Sequence, residues 1–312
     1  RRALVVRPDS PQALSNLAKA CFAGGDTVRS LTLFQRLLQL APGDSEVKTW
    51  LSGLYHQHGR FDLAAAMAQP PQFQPARRSV VVPVLDYSPG APWNIRTLLD
   101  DLAGFDGEVA VVFNSPQVCE DLKDHPRIDK FCVNKHNVGV ARGWNMGLNL
   151  AEGAVVFVLN ADLHVTLEAL ERIEAYVLSL PDAVLVGVGG DVMEPVNFHA
   201  LRSWLPGAFS EPVEVDRVSG YLFAIHAERF HDAGLSFDPR LSPYFHEETD
   251  IAFKIKAAGL KAYAVPVTGF GHEWGITASD RPISYFGRPV KRNDMLIRNG
   301  LLLRQKLRKK KE

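Results

Sequence analysis

The chain lacks several features that would identify a class of protein directly. It has only three cysteines, which form neither a metal-binding pattern nor a disulfide framework: Cys21, Cys119 and Cys132. Lysine and arginine number 35, as do aspartate and glutamate, so no net charge points to nucleic acid or an anionic membrane as partner. No apolar run approaches the roughly 20 residues that span a bilayer. These absences favour a globular, cytoplasmic protein without a transmembrane segment.

The first part of the chain, residues 1–68, carries a helical pattern that repeats after 34 positions. The matched pairs are Pro8 with Pro42, Leu17 with Leu51, and Gly25 with Gly59. This period resembles that of tetratricopeptide repeats, whose concave face binds peptides or proteins. We expect helical hairpins with Asp9 and Asp44 as helix caps. They either pack on the next domain or form a protein-binding solenoid, and the match of residues 3–8 to 37–42 predicts a further repeat upstream.

Three prolines within residues 69–78 mark a domain boundary, because proline removes a backbone donor and fixes an extended chain. A length of 312 residues is enough for about two domains. We predict 69–78 as a linker, 79–285 as the main domain, and 286–312 as a basic amphipathic helix and tail. That C-terminal segment either contacts a membrane surface peripherally or packs its leucines on the domain and leaves the tail solvated.

Apolar, β-branched runs alternate with helical patterns through the main domain. Strands are predicted at 79–84, 109–113, 130–133 and 155–159, with helices at 93–102 and 140–151. This alternation predicts an α/β fold with a mostly parallel sheet. Asn160 and Asp162 follow the last of these strands, at the edge where open α/β sheets bind ligands. Asp162 is either a helix-capping or loop acid, or a ligand of a divalent cation that neutralises a diphosphate.

Four motifs follow one another along this domain. They are a polar loop after the first strand (83–87), two Asn-x-Gly segments (137–147), the Asn-Ala-Asp triplet (160–162), and a late set of Gly220, Phe237–Asp238, the acidic run 247–250 and His272. In this order they resemble the family 2 inverting glycosyltransferases of the GT-A fold, over roughly residues 79–299. The resemblance implies a Rossmann-like mixed α/β sheet and an enzyme that uses a UDP-, dTDP- or GDP-linked sugar donor.

The resemblance also implies a metal site. Asp162 is the expected ligand, because departure of a diphosphate is helped by a divalent cation. By the resemblance, His272 closes the site from the opposite side. Oxygen ligands suit Mg²⁺ or Mn²⁺, and an added imidazole favours Mn²⁺. Asn160 is neutral and is expected to hydrogen-bond ribose or water.

Direct displacement at the anomeric carbon needs a base on the acceptor hydroxyl. Glu248 aligns with the family's catalytic base, and Asp250 with a residue that positions the acceptor or the helix. The family's usual base is aspartate, so Glu248 is a departure, and Glu247 is the alternative base. All three acids lie at the predicted start of a helix, where a capping role is the competing interpretation.

The predicted donor-binding residues come from three segments. Pro83 and Asp86 belong to the loop after the first strand, while Phe113 stands where the family commonly has the aspartate that binds the nucleotide base. Phe113 accepts no hydrogen bond, which leaves Asn114 or Asp86 as candidate acceptors. In the third segment Gly139 lets the backbone approach the nucleotide. Two asparagines beside it, Asn137 and Asn145, are expected near the sugar or diphosphate.

These features support two functions of different classes. The first is a metal-dependent inverting glycosyltransferase that acts on a protein recruited by the repeats, or on a polysaccharide or lipid-linked acceptor. The second is a scaffold that binds a nucleotide without turnover, as the departures at Phe113 and Glu248 suggest. Nucleotide release from a sugar donor separates them.

Overall fold

The computed structural model describes residues 10–58, 60, 63–64, 67, 73–194, 197–272 and 282–309. The chain divides into two compact units, residues 1–71 and 72–312. The predicted cap Asp9, residues 69–72 of the predicted linker and the terminal residues 310–312 lie outside the described residues. No described helix is long and apolar enough to cross a membrane.

The first unit contains three described helices, α1 (Pro11–Ala23), α2 (Thr27–Leu40) and α3 (Ser45–Gln57). Each begins after a residue whose side chain accepts a backbone N–H of the first turn, namely Ser10, Asp26 and Asp44, so the predicted cap at Asp44 is confirmed. Helices α1 and α3 have 13 residues each and begin 34 positions apart.

Apolar side chains at helical spacing form the core of this unit. Leu14, Phe34 and Leu51 are almost fully buried, and the ring of Trp50 stacks on Phe34 with centroids 5.2 Å apart. The same pair of positions is joined by a hydroxyl-to-carbonyl hydrogen bond in both copies, with donor and acceptor exchanged: Ser30 Oγ donates to Ala18 O, and 34 residues on Ser52 Oγ donates to Ala64 O, each at 3.0 Å. The two copies therefore share close helix contacts as well as sequence.

The second unit is built on an eight-stranded sheet of spatial order β3-β2-β1-β4-β11-β6-β12-β9. These strands are β1 (Gln74–Val84), β2 (Glu108–Phe113), β3 (Lys130–Val133), β4 (Gly153–Leu159), β6 (Ala183–Gly187), β9 (Val213–Val215), β11 (Leu222–His226) and β12 (Lys261–Ala264). The pairs among β1, β2, β3 and β4 are parallel, as is β6 with β12, whereas β11 runs antiparallel between β4 and β6. The α/β mixed sheet implied by the resemblance is confirmed.

Helices cover the sheet, so its central strands are buried on both faces as near-continuous apolar runs. The helices are α4 (Ile95–Asp101), α5 (Pro116–Leu122), α6 (Val140–Leu150), α7 (Leu167–Ser179), α8 (Ala227–Asp232), α9 (Glu247–Ala257) and α10 (Arg292–Lys309). Trp144 of α6 is 1% exposed and packs on Phe223 and Phe237. The side of α6 that carries Trp144 therefore faces the core.

Short strands complete the unit. They are β5 (Leu163–Val165) with β13 (Phe270–His272), β7 (Gly190–Met193) with β8 (Ala200–Trp204) and β10 (Arg217–Val218), and the hairpin of β14 (Ile283–Tyr285) and β15 (Arg288–Val290). Two expectations need correction. Residues 74–78 of the predicted linker are the start of β1. Residues 286–290 precede α10 and partly form β15, so the predicted C-terminal helix begins only at Arg292.

Candidate active site

A cavity of about 360 Å³ lies at the carboxyl ends of β1, β2 and β4. Parallel strands bring their carboxyl ends to one edge of the sheet, and the loops that follow them form the cavity wall. Of the predicted site residues, seven line it: Pro83, Asp86, Asn114, Asn137, Gly139, Asn160 and Asp162. Aromatic residues that the sequence analysis did not select also line it, namely Tyr87, Trp93 and Tyr244.

Asp86 and Asn114 differ in what they offer to a ligand. One carboxylate oxygen of exposed Asp86 accepts the Tyr87 N–H at 2.8 Å, and the other accepts no hydrogen bond among the described residues. Asn114 is buried, and its Oδ1 already accepts from Asn134 Nδ2 at 3.0 Å. Its neighbour Phe113 is fully buried in the core. This arrangement favours Asp86 over Asn114 as the acceptor for a nucleotide base or ribose.

The loop at Asn137 to Gly139 is shaped by contacts within the protein. Gly139 has a φ of +87°, and a Cβ there would lie 2.6 Å from Ser242 Cβ and 2.7 Å from Pro243 Cα. Asn137 Nδ2 donates to Ser284 O at 2.9 Å, and its Oδ1 accepts the Gly139 N–H at 2.9 Å. Glycine is therefore required for close packing on the 242–243 segment, a reason that differs from the predicted approach to a nucleotide.

Asn145 is held by hydrogen bonds within the protein. It is absent from the cavity wall, and its amide forms two hydrogen bonds with the backbone of Phe237: Nδ2 donates to the carbonyl at 2.7 Å, and Oδ1 accepts the N–H at 3.0 Å. Both ends of the side chain are used to fasten α6 to the segment before α9. These two hydrogen bonds give Asn145 a structural role, and its contact with the sugar or diphosphate stays a prediction.

The predicted metal residues come together at the rim of the cavity. His272 Nε2 lies 3.2 Å from Asp162 Oδ1 and 3.3 Å from Asn160 Nδ2. Strand pairing brings about this approach, because β13 runs antiparallel to β5 and sets His272 opposite Leu163. The ring of Tyr221 stacks on the imidazole with centroids 4.5 Å apart, and the Tyr221 carbonyl accepts the Asn160 N–H at 2.9 Å. Tyr221, which the sequence analysis missed, thus contacts the His272 side chain through its ring and the Asn160 backbone through its carbonyl.

The chemistry of this group fits a divalent cation. Carboxylate oxygen and imidazole nitrogen are both ligands for Mn²⁺, and two neighbouring ligands at about 2.1 Å from an octahedral ion lie about 3 Å apart, close to the observed separation. Among the described residues, no three His, Cys, Asp or Glu side chains form a group that could hold a metal by themselves. The pair therefore suits an ion that takes its remaining ligands from water and a substrate diphosphate.

The acidic run lies in the first turn of α9. Glu247 is 3% exposed and Glu248 is partly buried. Burial raises the pKa of Glu247, and repulsion from Glu248 raises it further. Burial also raises the pKa of Glu248, against the opposing charge of Arg217. Gly220 lies directly against the Glu248 carboxyl group, and its neighbour Tyr221 stacks on His272. Glu248 is thereby connected to the Asp162–His272 pair through two consecutive residues.

Asp250 has a different environment from the other two acids. It is 3% exposed and pairs with Lys254 at 3.0 Å, one turn along α9, and with Lys306 of α10. Of the two roles left open for Asp250, fastening the helix agrees with these contacts and positioning an acceptor does not. Lys306 also pairs with Asp238, so the Phe-Asp motif and the acidic run share one ammonium group.

The mixed α/β sheet has a cavity at the carboxyl ends of its strands, the position where open α/β sheets bind ligands, and a carboxylate–imidazole pair lies at its rim. Residues 79–225 match the family model described as Glycosyl transferase family 2. Residues 79–225 are therefore similar to a family 2 glycosyltransferase domain. The matched segment includes Asp86 and Asp162 but ends before Glu248 and His272.

Comparison with curated proteins gave no match. Solved structures similar to this chain include GalNAc-T7 with UDP, GalNAc and Mn²⁺, at 17% identity and a TM-score of 0.49 over 73% of this chain and 47% of that one. Also similar are TarS of S. aureus (20% identity, TM-score 0.44, 62% of this chain and 36% of that chain) and TarS 1-349 with UDP-GlcNAc (18%, 0.46, 65% and 61%). The chain thus spans about half the length of the first of these structures.

Proposed function

We propose that this chain transfers a sugar, with inversion, from a nucleotide diphosphate donor to an acceptor hydroxyl, assisted by Mn²⁺ or Mg²⁺. The observation that carries the proposal is the Asp162–His272 pair, 3.2 Å apart at the rim of the cavity. Asp162 and His272 would hold the ion, which when bound would neutralise charge on a departing diphosphate. Asn160, beside them, donates its amide to ribose or water.

The cavity binds the donor through its own groups. Asp86 accepts a hydrogen bond from the base or ribose, because one of its carboxylate oxygens has no partner among the described residues. Pro83 and the aromatic residues Tyr87 and Trp93 supply apolar wall against which a base or sugar can pack. The donor nucleotide carries uracil, thymine or guanine, and the proposal does not choose among these three.

Glu248 is the proposed base, in preference to Glu247. Glu248 is the more accessible of the two and lies against Gly220, next to the residue that stacks on His272. Its pKa is raised by burial, and a raised pKa makes a carboxylate a stronger acceptor for the hydroxyl proton. Attack of the acceptor oxygen breaks the bond to the diphosphate from the opposite side, which inverts the anomeric centre.

The acceptor is proposed to be a protein held by the N-terminal unit. The 34-residue offset between α1 and α3 and the repeated hydroxyl-to-carbonyl contact support tetratricopeptide-like repeats. Removal of residues 1–70 should then abolish glycosylation of the protein acceptor while turnover on a small acceptor survives. Survival of both would favour the alternative, a polysaccharide or lipid-linked acceptor. A cytoplasmic location is proposed on cysteine usage alone.

The test is nucleotide release from a panel of UDP-, dTDP- and GDP-sugars with Mn²⁺ or Mg²⁺. One donor should release nucleotide in a divalent-dependent manner, and Asp162→Ala should remove this release. The exposed Asp124, which lies away from the cavity, provides the matched control Asp124→Ala. Tight nucleotide and metal binding without release from any donor would instead indicate a scaffold and contradict the proposal.

A further inference from the structure

The C-terminal helix α10 holds the loop that leads into the acidic run. Asn299 is fully buried, and its Nδ2 donates to the carbonyl of Leu241, to that of Tyr244 at 2.9 Å and to that of Phe245 at 3.2 Å. Arg298 Nη1 donates to the carbonyl of Ser242 at 3.1 Å. Two adjacent residues of α10 therefore donate to the carbonyls of four of the five residues 241–245. These carbonyls are not hydrogen-bonded within a strand or helix of their own.

A second contact lies two turns further along α10. The ammonium of Lys306 pairs with Asp238, which precedes the loop, and with Asp250, which lies in the first turn of α9. Although burial acts to raise the pKa of Asp238, hydrogen bonds from Arg240 and Lys306 hold it well below the usual range. The lysine thus neutralises two buried carboxylates, one on each side of the loop.

The loop between these contacts belongs to the proposed site. Pro243 and Tyr244 line the cavity, and the N–H of Val140 donates to the Pro243 carbonyl at 2.8 Å. Glu247 and Glu248 come three and four residues after Tyr244, at the start of α9. A buried carbonyl without a donor costs free energy, so the loop keeps its shape only while Asn299 is in place. The position of Glu248 is then tied to α10 at both ends of the loop.

We propose that α10 is a positioning element of the active site, in which Asn299 and Lys306 hold residues 241–250 so that Tyr244 closes the cavity and Glu248 faces the acceptor. This inference rests on the proposed function for its kinetic part. It assigns α10 a role other than the membrane contact or simple packing expected from the sequence. Asn299 and Lys306 touch no reacting atom and act through the loop.

The kinetic test compares two lysines that make the same kind of contact. Lys306→Met removes the cation shared by Asp238 and Asp250. Lys130→Met is the matched control, because the Lys130 ammonium lies 2.7 Å from both Glu108 and Glu152 at the other end of the sheet. Lys306→Met should lower kcat by about tenfold to a hundredfold with little change in the donor KM, since a misplacement of about 1 Å costs up to about a hundredfold. Lys306→Arg should restore most of kcat, and Lys130→Met should lose only thermal stability.

A readout independent of activity is hydrogen exchange. In Asn299→Ala and Lys306→Met, the amides of residues 241–250 should exchange faster, while those of β1 and β4 stay protected. The control is Gln305→Ala, at an exposed position on α10, which should leave exchange in both regions unchanged. Exchange unchanged in both variants, or a Lys306→Met kcat equal to that of Lys130→Met, would overturn the inference. If the wild-type chain releases no nucleotide from any donor, the proposed function fails, and the exchange result still decides the positioning of the loop.

Discussion

Replacement of Gly220 by alanine tests the position of Glu248 with one methyl group. A Cβ built at Gly220 would lie 3.0 Å from Glu248 Cδ and 3.1 Å from Cγ, and closer still to Oε1. Gly220 does not have a left-handed φ, so alanine introduces no backbone strain there. The three atoms nearest to this Cβ all belong to the end of the Glu248 side chain. The change should therefore displace the carboxylate with little effect on the fold.

The size of the displacement follows from these distances. Carbon atoms in relaxed contact lie about 3.5–4.0 Å apart, so Cδ must retreat by at least about 0.5 Å and the nearer oxygen by about twice that. A misplacement of about 1 Å costs up to about a hundredfold in rate. That loss equals about 2.7 kcal/mol of transition-state stabilisation, at about 1.36 kcal/mol for each tenfold change.

The assay is the rate of nucleotide release at saturating donor, together with donor affinity and the melting temperature. Gly220→Ala should lower kcat by about a hundredfold while donor affinity and melting temperature stay close to those of the wild type. Glu248→Asp, shorter by one methylene, should relieve the contact when combined with Gly220→Ala. The double variant should therefore be more active than the product of the two single effects, which a double-mutant cycle measures.

Full kcat in Gly220→Ala would refute the assignment of Glu248 as base, because the carboxylate cannot stay in place beside a methyl group. A large fall in melting temperature would show instead that the site tolerates no displacement, contrary to the reasoning from side-chain flexibility. The matched control is Gly90→Ala, whose added Cβ would meet nothing within 4 Å. It should leave kcat and melting temperature unchanged.

Asp162→Asn should abolish the additional melting-temperature increase that Mn²⁺ gives in the presence of the nucleotide, and chelation with EDTA should remove the same increase from the wild type. Glu247→Gln should become more stable than the wild type as pH rises. Burial raises the folded-state pKa of Glu247, so the wild type loses stability as pH rises from the unfolded pKa of about 4.3 to the raised value. The variant should therefore have the higher melting temperature at pH 8 but not at pH 4. Phe34→Ala should destabilise the first unit by about 3–5 kcal/mol in denaturant unfolding, whereas Val28→Ala, at a side chain that is 66% exposed, should change it little.

The central strands β2 and β4 were predictable because each is buried on both faces and reads as an apolar run, and the edge strand β3 was predictable from its own short run, although Phe131 and Val133 are exposed. The predicted strands at 109–113, 130–133 and 155–159 correspond to β2, β3 and β4 with small shifts at their ends. The triplet 160–162 therefore lies at the cavity, as expected for residues that end a central strand. By contrast, residues 193–216, which show no clear periodicity, include β8 and β9, because exposed and half-exposed strands leave little apolar pattern.

Side-chain roles were harder to predict than positions. Asn137 and Asn145 each lie two residues before a glycine, a pattern equally suited to ligand binding and to fastening a loop. Both amides bind backbone atoms that are distant in sequence, Ser284 for Asn137 and Phe237 for Asn145. Such partners come from the tertiary fold, so no local pattern indicates them. For the same reason no local pattern indicated that Lys306 lies between two buried carboxylates.

The residue that Glu248 faces, Gly220, explains how a glutamate fits where the family usually has an aspartate. A glutamate reaches further than the aspartate usual in the family, and its carboxyl group occupies the space that the absent side chain of Gly220 leaves open. Tyr221, the next residue, stacks on His272, which in turn lies beside Asp162. The longer side chain of the proposed base is thus accommodated within a short chain of contacts that ends at the proposed cation site. Glu248→Asp alone should therefore lower kcat, because the shorter side chain withdraws from the acceptor while Gly220 offers no atom to hold it.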